Sequence, residues 1–252
     1  MLRKTYAPDP KRLGAAPRLC MLLYCLANAV ACTSLEPRWL LQALPGEYPD
    51  VVYYVPTEQP VVALTIDDGP DATVTADILD LLAAHGARAT FFVLTDNVPG
   101  NEHLLHRMVN EGHELGNHLT ADEVSVDLPA ADFAAKLEES SATLADYGPV
   151  RWFRPGSGWY NERMLAQIKI HGYRLAEASM LPLDARLPSP RVIAGYVNAS
   201  VRPGSIIVLH TNRGRGHRTL AALQRILPTL NQRGYRVSTL SEVDDLYAPP
   251  SD

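Results

Sequence analysis

The segment LTIDDGP places two neighbouring carboxylates, Asp67 and Asp68, where an apolar run ends and a glycine and a proline follow. Adjacent like charges repel each other unless cations separate them. An Asx-type turn, in which a carboxylate satisfies backbone donors, explains one aspartate well and two poorly. A magnesium-binding aspartate pair of the phosphatase kind would also need a glycine-rich phosphate loop and a helix-borne lysine, and neither is evident. The pair therefore favours a division of work, with one carboxylate on a metal ion and the other free as a general base.

A metal ion needs further ligands, and the segment NHLTADE offers two of them. His118 and Asp122 are four residues apart, so one helical turn would bring both side chains to the same face. The competing pair, His113 and His118, is five residues apart and diverges on a helix or a strand. A surface or core role is the alternative for a lone histidine. We predict that Asp68, His118 and Asp122 bind one metal ion and leave positions open for water, as catalytic metal sites do.

Two more clusters carry groups that would complete such a site. Arg154, in FRPGSG, is a permanent cation that either orients Asp67 and keeps it ionised or pairs with a surface acid. The glycines of this segment, Gly158 among them, let backbone N–H groups approach a ligand, so the N–H of Ser157 is a candidate donor to an oxyanion. His210 ends the apolar run IIVL and is either a general acid or a half-buried strand residue.

The elements that must position these residues follow a repeated strand–helix pattern. Four predicted helices end in a glycine just before a strand, in AHGA, NEGH, IHGY and QRGY, which is typical of helix-to-strand turns. Seven predicted strands alternate with helices without a Ser- or Gly-rich linker, which predicts one α/β domain, a distorted (β/α)7-type barrel of parallel strands. In such barrels functional groups follow the carboxyl ends of strands, where the clusters above and the loop of Asp184 all fall. The predicted helices cover 72–86, 101–111, 131–146, 161–170 and 217–233.

Composition and charge exclude several classes of function. The 252 residues are 46% apolar and 20% charged, as in an ordinary globular protein, and the net charge of −5 argues against nucleic acid as the main partner. The basic segment RGRGHR at 213–218 is interpreted as a solvated loop. All three cysteines precede residue 35, so the body of the chain has no disulfide, no thiolate metal site and no cysteine nucleophile.

The N-terminal segment predicts export or membrane anchoring. Five basic residues and one acid in the first 18 residues precede an uncharged stretch at 19–35, and AVA at 29–31 is typical of a signal cleavage site. The stretch is shorter than the roughly 20 residues that a membrane span needs. The alternatives are an extra amphipathic helix or a misplaced start, which would make the protein cytoplasmic. We divide the chain into an N-terminal extension, 1–49, a domain, 50–248, and a tail, 249–252.

The clusters, in this order, resemble the motifs of the polysaccharide deacetylases, carbohydrate esterase family 4, which share the NodB homology domain. TIDDGP is similar to the family's TFDDGP, GHELGNH to GHEIGNH, RPGSG to RPPYG, and VLH to a leucine, one residue and a histidine. The similarity covers about residues 60–245. It implies a catalytic base, two metal ligands, an arginine that holds the base and a catalytic acid, at Asp67, Asp68, His118, Arg154 and His210.

Departures from the family motifs concern the metal and the pocket. Asp122 stands where the family has a second histidine, which weakens the metal as a Lewis acid and moves the preference from Zn²⁺ toward harder ions. We expect Zn²⁺ first, with Co²⁺ or Mn²⁺ as alternatives. Ser157 replaces a tyrosine whose backbone N–H is its presumed contribution, and Val208 replaces a leucine of the acetyl pocket. Asp184 resembles the aspartate that tunes the catalytic acid, although the tryptophan that follows it in the family is absent.

The resemblance implies a hydrolase that removes N-acetyl groups from the amino sugars of a chitin-like or peptidoglycan-like glycan. Trp159 and Tyr160 are few aromatic platforms for a long glycan. The implied partners are an N-acetylated glycan and, through the N-terminal segment, a membrane. Two alternatives remain open: a carbohydrate-binding protein that has lost catalysis through Asp122, and a hydrolase of a small N-acyl compound or cyclic amide.

Overall fold

The computed structural model describes residues 50–182, 184, 189–212 and 214–247. The predicted signal or anchor segment and the tail lie outside these residues. Within the described part of the chain, no helix has the length and apolarity that crossing a bilayer requires.

Among the described residues, eight strands form one sheet in which every pairing is parallel. Their order is β1-β6-β5-β4-β3-β2-β7, and β8 pairs with the first three residues of β2. The seven predicted strands correspond to β2 to β8, whereas β1 was not predicted. The strands are β1 Val51–Val52, β2 Val61–Gly69, β3 Thr90–Val93, β4 Glu114–Asn117, β5 Trp152–Phe153, β6 Arg174–Ala176, β7 Ile206–His210 and β8 Arg236–Ser238.

The sheet returns on itself through Met180, which follows β6. The N–H of Met180 donates to the carbonyl of Ile206, and the N–H of Val208 donates to the carbonyl of Met180, both at 3.1 Å. This bridge joins the segment after β6 to β7, and β7 pairs along β2. The predicted α/β barrel of parallel strands is confirmed.

The described residues contain seven α-helices, of which six connect strands and the last follows β8, and five of the seven correspond to the predicted helices. The other two, α5 and α7, were not predicted although both carry start signals. A proline occupies the first position of α5, and Thr239 and Glu242 form a capping box at the start of α7. The helices are α1 Thr75–Ala84, α2 Glu102–Asn110, α3 Ala130–Ala145, α4 Glu162–Ile170, α5 Pro190–Ser200, α6 Gly216–Gln232 and α7 Leu240–Asp244.

Alternation along β2 decides which of its residues reach the barrel interior. Val62, Leu64 and Ile66 join the apolar cluster that includes residues of α1 and α6, whereas Ala63 joins the cluster with Phe92, Trp152, Ala176 and Ile206. Successive residues of a strand face opposite sides, so Thr65 and Asp67 share the interior face with Ala63. The sheet therefore carries one of the two neighbouring carboxylates into the barrel.

The second carboxylate belongs to a residue that leaves the regular strand. Asp68 has a φ of 72°, in the left-handed region, and the pairing register of β2 with β3 shifts between Asp67 and Gly69. Such a bulge re-aims a side chain at the end of a strand. A left-handed non-glycine residue is also uncommon and carries a conformational cost.

A close approach inside the barrel requires glycine at position 116. A Cβ on Gly116 would lie 2.5 Å from the ring of Phe92, which is fully buried. The same ring also contacts a cation, because the guanidinium carbon of Arg154 lies 4.0 Å from the ring centroid. Gly116 thus fixes the ring against which the arginine is held.

We predict that Gly116→Ala lowers the free energy of unfolding by about 1–3 kcal/mol, because the added methyl group forces Phe92 to move in a packed interior. Chemical denaturation measures the change. Gly195→Ala is the matched control, since its Cβ meets no atom within 4 Å and it lies in α5, where alanine is favoured over glycine. Equal stability of the two variants would contradict the packing role of Gly116.

Candidate functional site

The predicted site residues lie where β2, β4, β5 and β7 end. Asp67 and His210 are direct partners in the register of β2 with β7. Asn117 and Phe153 are partners in the register of β4 with β5, so the residues that follow them, His118 and Arg154, leave neighbouring strands together. The parallel sheet thereby brings four groups from four separate parts of the sequence to one end of the barrel.

Arg154 and Asp67 form a buried ion pair. Nη1 of Arg154 donates to Oδ1 of Asp67 and to Oγ1 of Thr65, each at 2.7 Å. Its Nε donates to the carbonyl of Ala176 at 3.0 Å, and its Nη2 donates to the carbonyl of Glu177 at 3.2 Å. The two side chains are 5% and 4% exposed. The guanidinium is thus fixed from β2 and β6, and one oxygen of the carboxylate has a fixed direction.

His118 points one ring nitrogen at Asp68. Nδ1 of His118 lies 2.7 Å from the carbonyl oxygen of Arg154, and Nε2 lies 3.3 Å from Oδ1 of Asp68. A carbonyl oxygen only accepts hydrogen bonds, so Nδ1 carries a proton and donates. The lone pair of Nε2 and the carboxylate then face each other, which requires a proton or a metal cation between them. A backbone carbonyl that accepts the other ring N–H and so fixes the histidine is typical of metal-binding imidazoles.

The charges of Asp68 and His118 support each other. Burial disfavours the anion, but the hydrogen bond to His118 and the nearby charges of His118, His210 and Arg215 lower the pKa of Asp68. Burial also disfavours the imidazolium, but the hydrogen bond to Asp68 and the charges of Asp67 and Asp68 raise the pKa of His118. The pair is therefore a carboxylate and an imidazole that hold a positive charge between them, a donor set that fits a divalent ion.

A buried amide shapes the turn that presents His118. The Oδ1 of Asn117 accepts the N–H of Leu119 at 2.8 Å and the hydroxyl of Ser140 at 3.0 Å. Leu119 has a φ of 65°, and residues 118–124 form no helix. The helical turn that we assumed from the spacing of His118 and Asp122 was therefore wrong, because the side chain of Asn117 stabilises a different turn.

Asp122 lies at the edge of the site. Its side chain is exposed, and its Oδ2 accepts a hydrogen bond from Nδ2 of Asn212, in the loop after β7, at 2.7 Å. No three His, Cys, Asp or Glu side chains among the described residues are close enough together to hold a metal ion. The role of Asp122 as third ligand to Asp68 and His118 stays a prediction.

His210 and Asp184 form a doubly bonded pair. The backbone N–H of His210 donates to Oδ2 of Asp184 at 2.8 Å, and its Nδ1 donates to Oδ1 at 2.9 Å. Burial disfavours the imidazolium, but the hydrogen bond and charge of Asp184, with Asp67 and Asp68, raise the pKa of His210 to about 9. The imidazolium is therefore the main form at neutral pH, and its Nε2–H is the proton that it can donate.

The loop from 155 to 159 carries the predicted substrate contacts. Ser157 is exposed and has a φ of 70°, while the N–H of Gly158 donates to the carbonyl of Pro155 at 3.1 Å. Gly158 therefore does not offer that N–H to a ligand. Trp159 is half-buried against an apolar cluster, and Val208 is buried in β7. Their contact with substrate stays a prediction.

Sequence reasoning missed a buried acid, Glu177, that follows β6. Its Oε1 has no hydrogen-bond partner, and the residue is 9% exposed. Burial raises the pKa of Glu177 to about 8, the charge of Arg154 opposes the rise, and that of Asp67 adds to it. Glu177 is therefore mainly a neutral acid at neutral pH. The sequence signal is an acidic residue among the small and apolar residues of LAEAS, at the end of a predicted strand.

Sequence reasoning also missed Arg215, in the basic segment that we interpreted as a solvated loop. The Nη1 of Arg215 lies 3.8 Å from Oδ2 of Asp68, and the side chain is 20% exposed. The interpretation was wrong for this residue. No local pattern distinguishes Arg215 from the other arginines of the segment, because its neighbours in the site come from other strands.

Comparison with known proteins gives one consistent result. Residues 54–176 match the model of the family described as polysaccharide deacetylase. A peptidoglycan-N-acetylglucosamine deacetylase of Bacillus cereus is 33% identical over 201 residues, which are 77% of this chain and 92% of the relative. A chitooligosaccharide deacetylase of Sinorhizobium fredii is 34% identical over 200 residues, which are 74% of this chain and 93% of the relative.

A solved structure agrees with the sequence relatives. The family 4 acetyl xylan esterase of Clostridium thermocellum, in complex with a cobalt ion, matches with a TM-score of 0.68 and 31% identity, over 74% of this chain and 91% of that one.

We predict that Asp184→Asn lowers the pKa of His210 by about 1–3 units, because an opposing charge and a charge-assisted hydrogen bond are lost. A general acid works in its protonated form, so the alkaline limb of the pH profile of kcat/KM should move to lower pH by the same amount. Titration of the His210 ring by NMR measures the pKa directly. If the alkaline limb does not move, the general acid whose ionisation it reflects is not His210.

We predict that Glu177→Gln stabilises the fold at neutral pH. The unfolded state loses its proton near pH 4.5 and the folded state only near pH 8, so rising pH favours unfolding of the unmodified protein across this window. The variant should gain free energy of unfolding progressively between these values, up to a few kcal/mol at about 1.4 kcal/mol per pKa unit. Denaturation at pH 4, 6 and 8 measures it, with the exposed Glu58→Gln as control. A difference that is constant with pH would contradict the buried neutral acid.

Proposed function

This chain belongs to the polysaccharide deacetylase family, and we propose that it uses a divalent metal ion to remove N-acetyl groups from the amino sugars of a glycan. As a member of this family it is a hydrolase that acts on carbon–nitrogen bonds other than peptide bonds. The resemblance seen in the sequence motifs is thereby confirmed.

One observation carries the proposal: an anionic base and a cationic acid stand on paired residues of neighbouring strands. Asp67 is held by Arg154, and His210 is held by Asp184. The first carboxylate is placed to accept a proton and the imidazolium to give one, which are the two transfers that amide hydrolysis needs. Two ion pairs with a purely structural role would not need a proton acceptor and a proton donor on paired strand residues.

Asp68 and His118 would hold the metal ion, with Asp122 as the predicted third ligand. The ion, when bound, supplies positive charge that polarises the acetyl carbonyl and lowers the pKa of a water molecule. We expect Zn²⁺ first. Co²⁺ and Mn²⁺ are the alternatives, because an aspartate in the ligand set moves the preference toward harder ions. The fit of the site rests on the imidazole and carboxylate that already face each other at 3.3 Å.

The residues of this chain divide the remaining work. Asp67, oriented by Arg154, accepts a proton from the water whose oxygen bonds to the acetyl carbon. The backbone N–H of Ser157 is the proposed donor to the oxyanion of the tetrahedral species. When the carbon–nitrogen bond breaks, His210 donates its Nε2 proton to the departing amine. The products are acetate and a free amino sugar.

The substrate class follows the relatives and the cell location follows the N-terminal pattern. A peptidoglycan-like or chitin-like glycan is the proposed substrate, and export or membrane anchoring through the first 49 residues would bring the enzyme to such a polymer. A binding protein without catalysis is the second candidate, favoured by the exposed position of Asp122. The retained set of Asp67, Arg154, Asp184 and His210 favours the enzyme, since binding alone does not need it.

We predict acetate release when the purified protein is incubated with N-acetylglucosamine oligomers or peptidoglycan fragments and Zn²⁺, Co²⁺ or Mn²⁺, and its loss in the presence of a chelator. Asp67→Asn should lower kcat about 10²–10⁴-fold, because the general base is removed. The exposed Asp146→Asn is the matched control and should keep full activity. Glycan binding without acetate release, unchanged by Asp67→Asn, would instead establish the binding protein.

A further inference from the structure

We propose that Arg215 binds a carboxylate at the rim of the site and thereby makes the enzyme prefer glycans that carry an acid group near the N-acetyl group. The inference rests on the proposed function and names a narrower substrate class for it. It is argued from the position of Arg215, the rigidity of its loop and the charges around it.

Arg215 reaches the site from the loop between β7 and α6. Its Nη1 lies 3.8 Å from Oδ2 of Asp68, the carboxylate predicted to bind the metal ion. One-fifth of its side chain remains exposed, so the residue is in contact with solvent. Arg215 is therefore at the mouth of the site rather than inside the barrel with Arg154.

The loop holds the backbone of Arg215 in place. The N–H of Arg215 donates to the carbonyl of Asn212 at 2.9 Å, and the side chain of Asn212 donates to Asp122. The N–H of Thr219 returns to the carbonyl of Arg215 at 2.9 Å. A Cβ on Gly216 would lie 2.3 Å from the side chain of Val74, so the backbone here packs directly against the segment before α1. This close packing pre-organises the arginine for binding.

When the charged groups of the site are paired with each other, the positive charge of Arg215 has no carboxylate left to match it. The carboxylate of Asp67 is matched by Arg154, and that of Asp184 by the imidazolium of His210. A divalent ion would match Asp68 and the predicted ligand Asp122. Every carboxylate of the site then has its cation, and the guanidinium of Arg215 adds one positive charge.

The contact between Arg215 and Asp68 is too long for a hydrogen bond from the guanidinium. Charge-assisted N–H···O bonds are about 2.7–2.9 Å long, so the 3.8 Å separation is a loose ion pair. In the described part of the chain, Asp68 is the one carboxylate within ion-pair distance of Arg215. A metal ion on Asp68 would weaken even this contact, because it neutralises the carboxylate and repels the guanidinium.

A carboxylate is the ligand that a free guanidinium beside a cation selects. Its two oxygens match the planar fork of N–H donors, whereas the hydroxyl groups of a neutral sugar do not. This group has two sources: an acid group on the glycan, as in a muramic acid whose lactyl carboxyl carries no peptide, and the acetate that the reaction releases. The position of Arg215 at the rim, rather than among the reacting groups, favours the glycan.

The test compares an oligomer of N-acetylglucosamine, which is neutral, with a peptidoglycan disaccharide that carries the muramic acid carboxylate. Arg215→Gln should lower the ratio of kcat/KM for the acidic substrate to kcat/KM for the neutral one about tenfold or more, as expected for a lost charged hydrogen bond. Arg225→Gln removes the same charge from an exposed position in α6, the helix that follows Arg215, and should leave the ratio unchanged. Variants that merely lose stability would lower both values together.

Acetate inhibition of the neutral reaction separates the two sources. An inhibition constant for acetate that rises in Arg215→Gln, with an unchanged substrate ratio, would assign the carboxylate to the product. An unchanged ratio together with unchanged acetate inhibition overturns the proposal. Calorimetric titration of both proteins with the acidic disaccharide gives a readout that needs no turnover. Binding that weakens in the variant while no metal gives acetate release would sink the proposed function and keep the role of Arg215.

Discussion

The ion pair between Arg154 and Asp67 is the interaction on which the arrangement of the site depends. A guanidinium inside a barrel must find acceptors for its N–H groups, and here Thr65, Asp67 and two carbonyls of the β6 segment supply them. Removing one partner of a buried pair leaves an uncompensated charge, which costs roughly 3–5 kcal/mol. The barrel therefore closes around this cation, and the base is aligned by the same contacts that hold β2, β5 and β6 together.

Two neighbouring aspartates coexist because the backbone sends them to different cations. Strand alternation carries Asp67 to Arg154, and the left-handed conformation of Asp68 turns the next carboxylate toward His118. The carbonyl of Arg154 fixes the ring of His118, so one residue orients both the base and a metal ligand. Division of work between adjacent like charges is thus a property of the fold, and each carboxylate keeps a separate counter-charge.

Much of the fold could be predicted from the sequence because apolar periodicity and glycine-ended helices are local signals. Asp67, Arg154 and His210 could also be predicted as site residues, since the carboxyl ends of parallel strands all lie at one end of a barrel. The turn after β4 could not be predicted, because the Asn117 side chain that accepts the N–H of Leu119 is itself held by Ser140, 23 residues further along the chain. Arg215 was missed for a similar reason: its relation to Asp68 exists only after the sheet has brought separate loops together.

The bridge at Met180 gives the barrel a seam held by two backbone hydrogen bonds, whereas β2 pairs with β3 at four positions and with β7 at five. Asp184 follows this bridge and His210 ends the strand beyond it, so the acid dyad straddles the seam. Local opening there would part the proton donor from its anchor while the guanidinium at the centre stayed in place. Loss of catalysis on heating is then expected to precede loss of the fold. The temperature at which this seam opens would set the upper working temperature.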